Sequence, residues 1–316
     1  MPAMILRTVS GMVLAAGLGL SAAAAEEKAA KGKPAPKTAA AEKAEVVDHL
    51  LVRYDFNFGG LNLGGAELHT EFSDDAYEAR SKLRTGGLAD AFFRSRYEIV
   101  SRGVLDGRVV KPLLYDSEFK GVKGKYQFVT IDYRPDTWPI LSHSDPSYEK
   151  KIERRPVPKK LKWNTVDPLS AWAYLVAGST ATEEQPCGRT IPIFDAVRRY
   201  NLELRYIESR DNFRVGPSWG KPTYEGRAYR CKMVYRRIAG FKKKDGRDFD
   251  ELPIPALDLW MAPVGERGFL VPLRLVAHTE WGDVVLIAKK IRTKKKEREP
   301  LEVVAKCTGD VEKAPC

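Results

Sequence analysis

From His49 onward, apolar and polar side chains alternate along the chain with a period of two. Leu50, Val52, Tyr54, Phe56 and Phe58 alternate with Leu51, Arg53, Asp55 and Asn57. Tyr77, Ala79, Ser81 and Leu83 alternate with Glu78, Arg80, Lys82 and Arg84, and Phe93, Ser95, Tyr97 and Ile99 with Arg94, Arg96 and Glu98. A strand sends successive side chains to opposite faces, so each run predicts a strand with one dry and one wet face. Further strands are predicted at Leu113–Phe119, Lys125–Tyr133, Lys151–Arg155, Val197–Ser209, Tyr224–Ile238, Leu257–Ala262, Leu270–Glu280 and Val284–Thr293. Asp106-Gly107, Asp245-Gly246 and Gly282-Asp283 are hairpin turns by composition. Gly59-Gly60 and Gly64-Gly65 mark tight turns or bulges.

One stretch breaks this rhythm. Asp167 is placed to cap a helix, Pro168 to occupy its first position, and Leu169, Trp172, Ala173 and Val176 fall at helical spacing before Gly178-Ser179 ends the run. Roughly a dozen strands, one main helix and no strand–helix–strand alternation predict a mainly β fold. A sheet that long, apolar on one face, has to curl to bury that face. The expected architecture is a single large antiparallel curled sheet, an open or spiral β-barrel with the helix Asp167–Val176 against or inside its mouth. It is similar in outline to the half-barrel of periplasmic lipoprotein carriers.

The ends differ from this middle. Arg7 followed by the apolar Met12–Leu20 and the small Ala23-Ala24-Ala25 reads as a signal peptide cleaved near Ala25, which predicts export to the periplasm. That apolar run is too short for a membrane span, so no transmembrane span is expected after cleavage. Residues 26–46 are an Ala/Lys/Pro linker with the composition of a disordered tether. Residues 47–293 form the curled domain, and 294–316 a basic, cysteine-containing tail. Lys289–Arg298 alone carries seven basic residues, read as the solvated end of the last strand or as a contact for anionic lipid or cell-wall polymer.

Composition adds compartment and partner class. A net charge of +11 attracts anionic surfaces, and export makes nucleic acid an unsuitable partner. The chain has four cysteines, a number that suits an oxidising compartment and allows three pairings. Cys187–Cys231 and Cys307–Cys316 are the favoured ones. A metal site is the rival reading, but there is no Cys-x-x-Cys and no clustered histidine, so neither metal nor cofactor is expected.

Asp167-Pro168-Leu169-Ser170-Ala171, Cys187-Gly188-Arg189, the Phe194-Asp195 to Leu202 run, Cys231 within Tyr229–Tyr235, Ile238–Phe241 and Val271–Leu275 follow one another in an order that resembles the DUF3108 family of bacterial exported proteins. Upstream, Tyr54, Gly60, Gly65-Ala66, Thr85-Gly86-Gly87-Leu88 and Ser101-Arg102-Gly103 also match its pattern. The family more often has glycine after the Phe-Asp pair, where this chain has Ala196. If that glycine serves a positive φ, the chain here must turn differently. The family's function is unknown, so the resemblance implies fold and compartment rather than mechanism.

Candidate chemistry is sparse. His49, His69, His143 and His278 are scattered, and neither a nucleophile elbow nor a phosphate loop is present. The sharpest polar cluster is Arg189, Asp195, Arg198 and Arg199. It is either a corner in which Asp195 pairs with one arginine, or an anion site for a phosphate or carboxylate. The loops at Asp136–Pro139 and His143–Pro146 are where a loop-borne binding function would sit. The favoured function is a non-enzymatic periplasmic protein that supports envelope integrity and binds a lipid-like or amphipathic ligand inside the curled sheet. The alternatives are a hydrolase of envelope polymers, for which Asp132, Asp136 and Glu149 supply carboxylates but no evident pair, and an adaptor binding an envelope protein. Sequence leaves the oligomeric state open.

Overall fold

The structure, a computed structural model, describes residues 45–87, 90, 94–107, 109–177, 186–217, 219–241, 243–244, 247–248 and 255–298. The expected signal peptide, most of the linker, Phe93, Gly178-Ser179, Asp245-Gly246, Cys307, Cys316 and the end of the tail lie outside them.

Fifteen strands follow in order: β1 (Glu45–Phe58), β2 (Leu61–Phe72), β3 (Ala76–Thr85), β4 (Arg96–Asp106), β5 (Val109–Lys120), β6 (Tyr126–Asp132), β7 (Ile140–Ser144), β8 (Arg189–Phe194), β9 (Arg199–Val215), β10 (Tyr224–Ala239), β11 (Lys243–Lys244), β12 (Arg247–Asp248), β13 (Leu257–Val264), β14 (Phe269–Thr279) and β15 (Gly282–Arg298). Three helices are interposed between β7 and β8: α1 (Pro146–Arg154), α2 (Lys159–Lys162) and α3 (Pro168–Ala177). Thirteen strands make one antiparallel sheet in the order β7-β6-β5-β4-β3-β2-β1-β15-β14-β13-β10-β9-β8, with β11 and β12 a separate small hairpin. β7 and β8 are the outer members, so the sheet is curled but not closed by strand pairing. The seam is spanned instead by Tyr133 just after β6, whose hydroxyl donates to the Phe194 carbonyl of β8 at 3.0 Å.

The curl encloses α3, which packs on β3, β4 and β5 from one half of the sheet and on β8 and β14 from the other. Leu169, Ala173 and Val176 of the helix share a core with Leu50, Val52, Tyr54, Phe72, Tyr77 and Phe269. The Trp172 indole donates to Thr70 Oγ1 at 3.1 Å and meets the Tyr54 ring edge-to-face at 5.9 Å. A second cluster, around Ile191, Leu204, Leu259 and Met261, contains the Cys187–Cys231 disulfide. The bond ties the segment after α3 to the middle of β10.

The structure corrects three expectations. Lys151–Arg154 is the end of helix α1 and Arg155 its C-cap, not a strand. Asp145 accepts a hydrogen bond from the Ser147 amide and Pro146 opens the helix, the same Asp-Pro start that marks α3. The last strand continues to Arg298, with Glu297 and Lys296 opposite Val46 and Val47 of β1, so the basic run is paired sheet up to that point. Nor does each strand have a wet face. On β13, Leu259 and Met261 face the core beside the disulfide, while Trp260 and Ala262 join Val215, Ala228 and Leu273 in a third cluster. The far end of the β9–β10 hairpin lies over that second face, with the Thr223 hydroxyl donating to the Lys289 carbonyl at 3.1 Å and Phe213 stacked on Trp260.

Ala196, buried in the corner between β8 and β9, has φ 76. The chain keeps a left-handed turn there and accepts the strain that a Cβ brings. Ala196→Gly should therefore raise stability by roughly 1 kcal/mol, read from the midpoint of urea unfolding. The 44-residue separation of Cys187 and Cys231 gives a large closed loop. Reduction should lower the unfolding free energy by about 4 kcal/mol in the chain-entropy treatment, measured by denaturation with and without dithiothreitol.

Candidate functional site

Two polar constellations stand out, one sealed and one open. The sealed one is the start of α3. The Asp167 carboxylate accepts from the Leu169 and Ser170 amides at 2.8 and 2.7 Å, capping the helix. Its other oxygen accepts from the Ser101 hydroxyl at 2.9 Å and from the Ser170 hydroxyl. Ser170 in turn contacts the Tyr77 hydroxyl at 2.6 Å. Asp167, Ser101 and Ser170 have no exposed surface. Burial pushes the Asp167 carboxyl up to about 6, against the pull of its hydrogen bonds. Burial likewise raises the Tyr77, Tyr115 and Tyr133 hydroxyls, with the Asp167 charge the next cause. A serine beside a carboxylate suggests nucleophilic chemistry, but these atoms are closed to substrate, and the network locks the helix to β3 and β4.

The residues of the expected arginine cluster are held separately. Asp195 accepts from the Val197 and Arg198 amides at 3.1 and 2.6 Å and lies 3.8 Å from the Arg198 guanidinium. Burial raises its carboxyl. Arg189 donates to the Tyr174 carbonyl and stacks on that ring. Arg199 donates to the carbonyls of Leu161 and Tyr200 and to Asn201 Oδ1. Asp195 with Arg198 thus braces the β8–β9 corner, while Arg189 and Arg199 bind backbone. The histidines are dispersed as well. His69 pairs with Glu67, His49 with Glu71, and His278 with Asp283 and Asp258, while His143 stacks on Phe128. Among the described residues no group of three His, Cys, Asp or Glu side chains could hold a metal ion.

The open constellation is a groove of about 1280 Å³ lined by β1–β5 at the end where β3 passes into β4. Strand register builds it. One cross-strand row runs Asp55–Gly65–Arg84–Arg96–Lys120. The next runs Arg53–Glu67–Lys82–Glu98–Glu118, with basic and acidic positions alternating until the last pair. In the first row three cations stand side by side, next to a glycine. Arg96 pairs along its strand with Glu98, and Lys120 with Glu118 at 3.3 Å. No side-chain hydrogen bond or ion pair among the described residues engages the Arg84 guanidinium. Of the charged side chains lining the groove, seven are basic and three acidic.

Close backbone packing shapes its wall. Gly64 has φ 142, and a Cβ there would strike the Arg84 carbonyl; one on Gly65 would lie 2.6 Å from the Tyr54 carbonyl oxygen. The Thr85 hydroxyl donates to Asp90 at 3.0 Å and accepts from the Ser95 amide at 3.0 Å, and the Gly86 amide donates to the Leu63 carbonyl at 3.0 Å. Gly65-Ala66 and Thr85-Gly86, two of the stretches similar to DUF3108, thus form this wall. The groove was missed in the sequence because its three cations come from three strands.

The fold defines the chain as an open, β-barrel-like sheet curled around a helix. The chain belongs to the DUF3108 family, described as a protein of unknown function, which matches residues 53–289. It is also similar to the crystal structure of a beta-barrel-like protein of domain of unknown function DUF1849 from Brucella abortus. That likeness has a TM-score of 0.45 and 12% identity, over 80% of this chain and 99% of the other. No curated protein matches.

The sealed carboxyl gives a pH signature. Its folded value of about 6 lies above its ordinary 3.8, so between those values the folded state holds more protons than the unfolded one. Stability therefore falls as pH rises from about 4 to 6, by about 3 kcal/mol in total. Asp167→Asn, which keeps the cap, should flatten this slope in urea midpoints measured across that range.

Proposed function

We infer that this is a non-enzymatic binding protein of the cell envelope, exported to the periplasm, that holds the anionic head of a lipid-like or amphipathic ligand and so supports envelope integrity. The observation that carries the reading is the row Arg84–Arg96–Lys120 beside Gly65 in the open groove. Like charges facing each other across strands destabilise a sheet. An anion placed between them removes that repulsion and gains charge-assisted hydrogen bonds, bidentate ones from arginine.

The binding place differs from the sheet interior suggested by the inward apolar stripes. Around α3 those stripes pack against the helix itself, with Ala173 and Val176 essentially without exposed surface. The row Arg84–Arg96–Lys120 is on the opposite face of these strands from the inward Ala66 and Leu83. The leader Met1–Ala25 and the disulfide suit an oxidising compartment, where nucleic acid is absent and phosphate- and carboxylate-bearing envelope components are abundant.

Calorimetric titration with glycerol phosphate tests the reading. Binding should weaken as salt is raised, and Arg84→Glu should weaken it roughly tenfold or more. Unchanged binding in Arg84→Glu would remove the groove from the account.

A further inference from the structure

The end of the sheet that bears the groove also carries an uncovered apolar fringe. Leu61, at the β1–β2 turn, is 56% exposed, and Trp281, at the β14–β15 turn, is 64% exposed. The two turns are neighbours, because the Gly59 amide donates to the Asp283 carbonyl at 3.2 Å. Leu63, partly exposed, leads from the first turn into the groove wall through its carbonyl's bond to Gly86. Val122, exposed on the β5–β6 turn, lines the same groove. The antiparallel order puts these turns at one end: β1, β3, β5 and β14 finish there, and β2, β4, β6 and β15 begin.

Isolated exposed apolar residues need no explanation. Here they occupy adjacent turns at the tip of one sheet, next to a groove lined by seven basic and three acidic side chains. Tryptophan and leucine at a tip, backed by arginine and lysine, suit the boundary between lipid headgroups and acyl chains. The ring sits at headgroup depth and the cations meet phosphate. Charge selects the occupant, since a neutral partner surface would leave the basic excess of the groove, and the Arg84 guanidinium above all, without a counter-charge.

We propose that this end of the sheet docks on an anionic lipid bilayer, with Leu61 and Trp281 in the interfacial layer and Arg84, Arg96 and Lys120 against phosphate headgroups. This rests on the reading of the groove as an anion site and names the surface that supplies the anion. Val109, 47% exposed on the β4–β5 turn at the opposite end, and Trp219, 90% exposed on the β9–β10 turn, do not line the groove.

The test is co-sedimentation of the chain, purified from cells that export it, with phosphatidylcholine vesicles made with and without phosphatidylglycerol. Binding is expected to the anionic vesicles. The double variant Leu61→Ser/Trp281→Ser should lower it roughly tenfold or more, and Arg84→Glu roughly fivefold. Val109→Ser, which removes a comparable exposed side chain at the far end, should leave it unchanged. Vesicle binding that survives Leu61→Ser/Trp281→Ser, or falls equally in Val109→Ser, overturns the docking. If the unaltered chain binds glycerol phosphate but no vesicle, docking is overturned while the anion groove stands. If it binds neither, both readings fall.

Discussion

One constraint governs the molecule: a single antiparallel sheet of thirteen strands has to find cover for an apolar face far larger than one short helix. Curling meets it. Strands from both halves reach α3, which packs along its length and is fixed by polar bonds at its start. Asp167 has no exposed surface and its oxygens serve two amides and two hydroxyls. A buried carboxylate is costly when ionised, and satisfied networks of this kind set orientation more than they add stability. Here the orientation is the rotation of α3 about its own axis, which decides whether Trp172 reaches Thr70 and Tyr54.

Curling alone does not cover everything. β13 and β14 are dry on both faces, and the β9–β10 hairpin folds across the outer one. The sequence carries the sign of this. Leu257–Ala262 and Phe269–Leu273 are nearly unbroken apolar runs, the pattern of strands buried on both sides, unlike the strict alternation of Leu50–Phe58. Reading every strand as half-wet overlooks that difference. The fold class, α3 and the Cys187–Cys231 pairing were legible because period, capping residues and cysteine placement are local signals. α1 was legible in principle. Asp145-Pro146 repeats the Asp167-Pro168 start, but the helix is rich in lysine, glutamate and arginine and has little apolar stripe to show.

The site was legible only in part, for a different reason. Arg189, Asp195, Arg198 and Arg199 cluster in sequence, and proximity in sequence suggested a shared task. In the fold these side chains part company: Asp195 and Arg198 brace the corner, Arg189 turns to the Tyr174 carbonyl of α3 and Arg199 to the Leu161 carbonyl of α2. Arg84, Arg96 and Lys120 are separated by whole strands, and only the register brings them into line. A slip of one residue would send Arg84 to the other face, so no local pattern announces the row.

That register also bears on why the row exists. Facing cations cost a few tenths of a kcal/mol to about 1 kcal/mol per pair at an exposed site. The neighbouring row shows that this sheet can place Glu67 between Arg53 and Lys82. That row breaks its alternation only at Glu98–Glu118, the two carboxylates that pair with Arg96 and Lys120 along their strands, which leaves Arg84 as the cation of the first row with no such partner among the described residues. Gly65 has a packing reason of its own, since a Cβ there would lie 2.6 Å from the Tyr54 carbonyl oxygen. What points to a ligand is therefore charge. Seven basic against three acidic side chains in one groove, with no partner for the Arg84 guanidinium among the described residues, is what a surface looks like when part of the compensating anion comes from outside the chain.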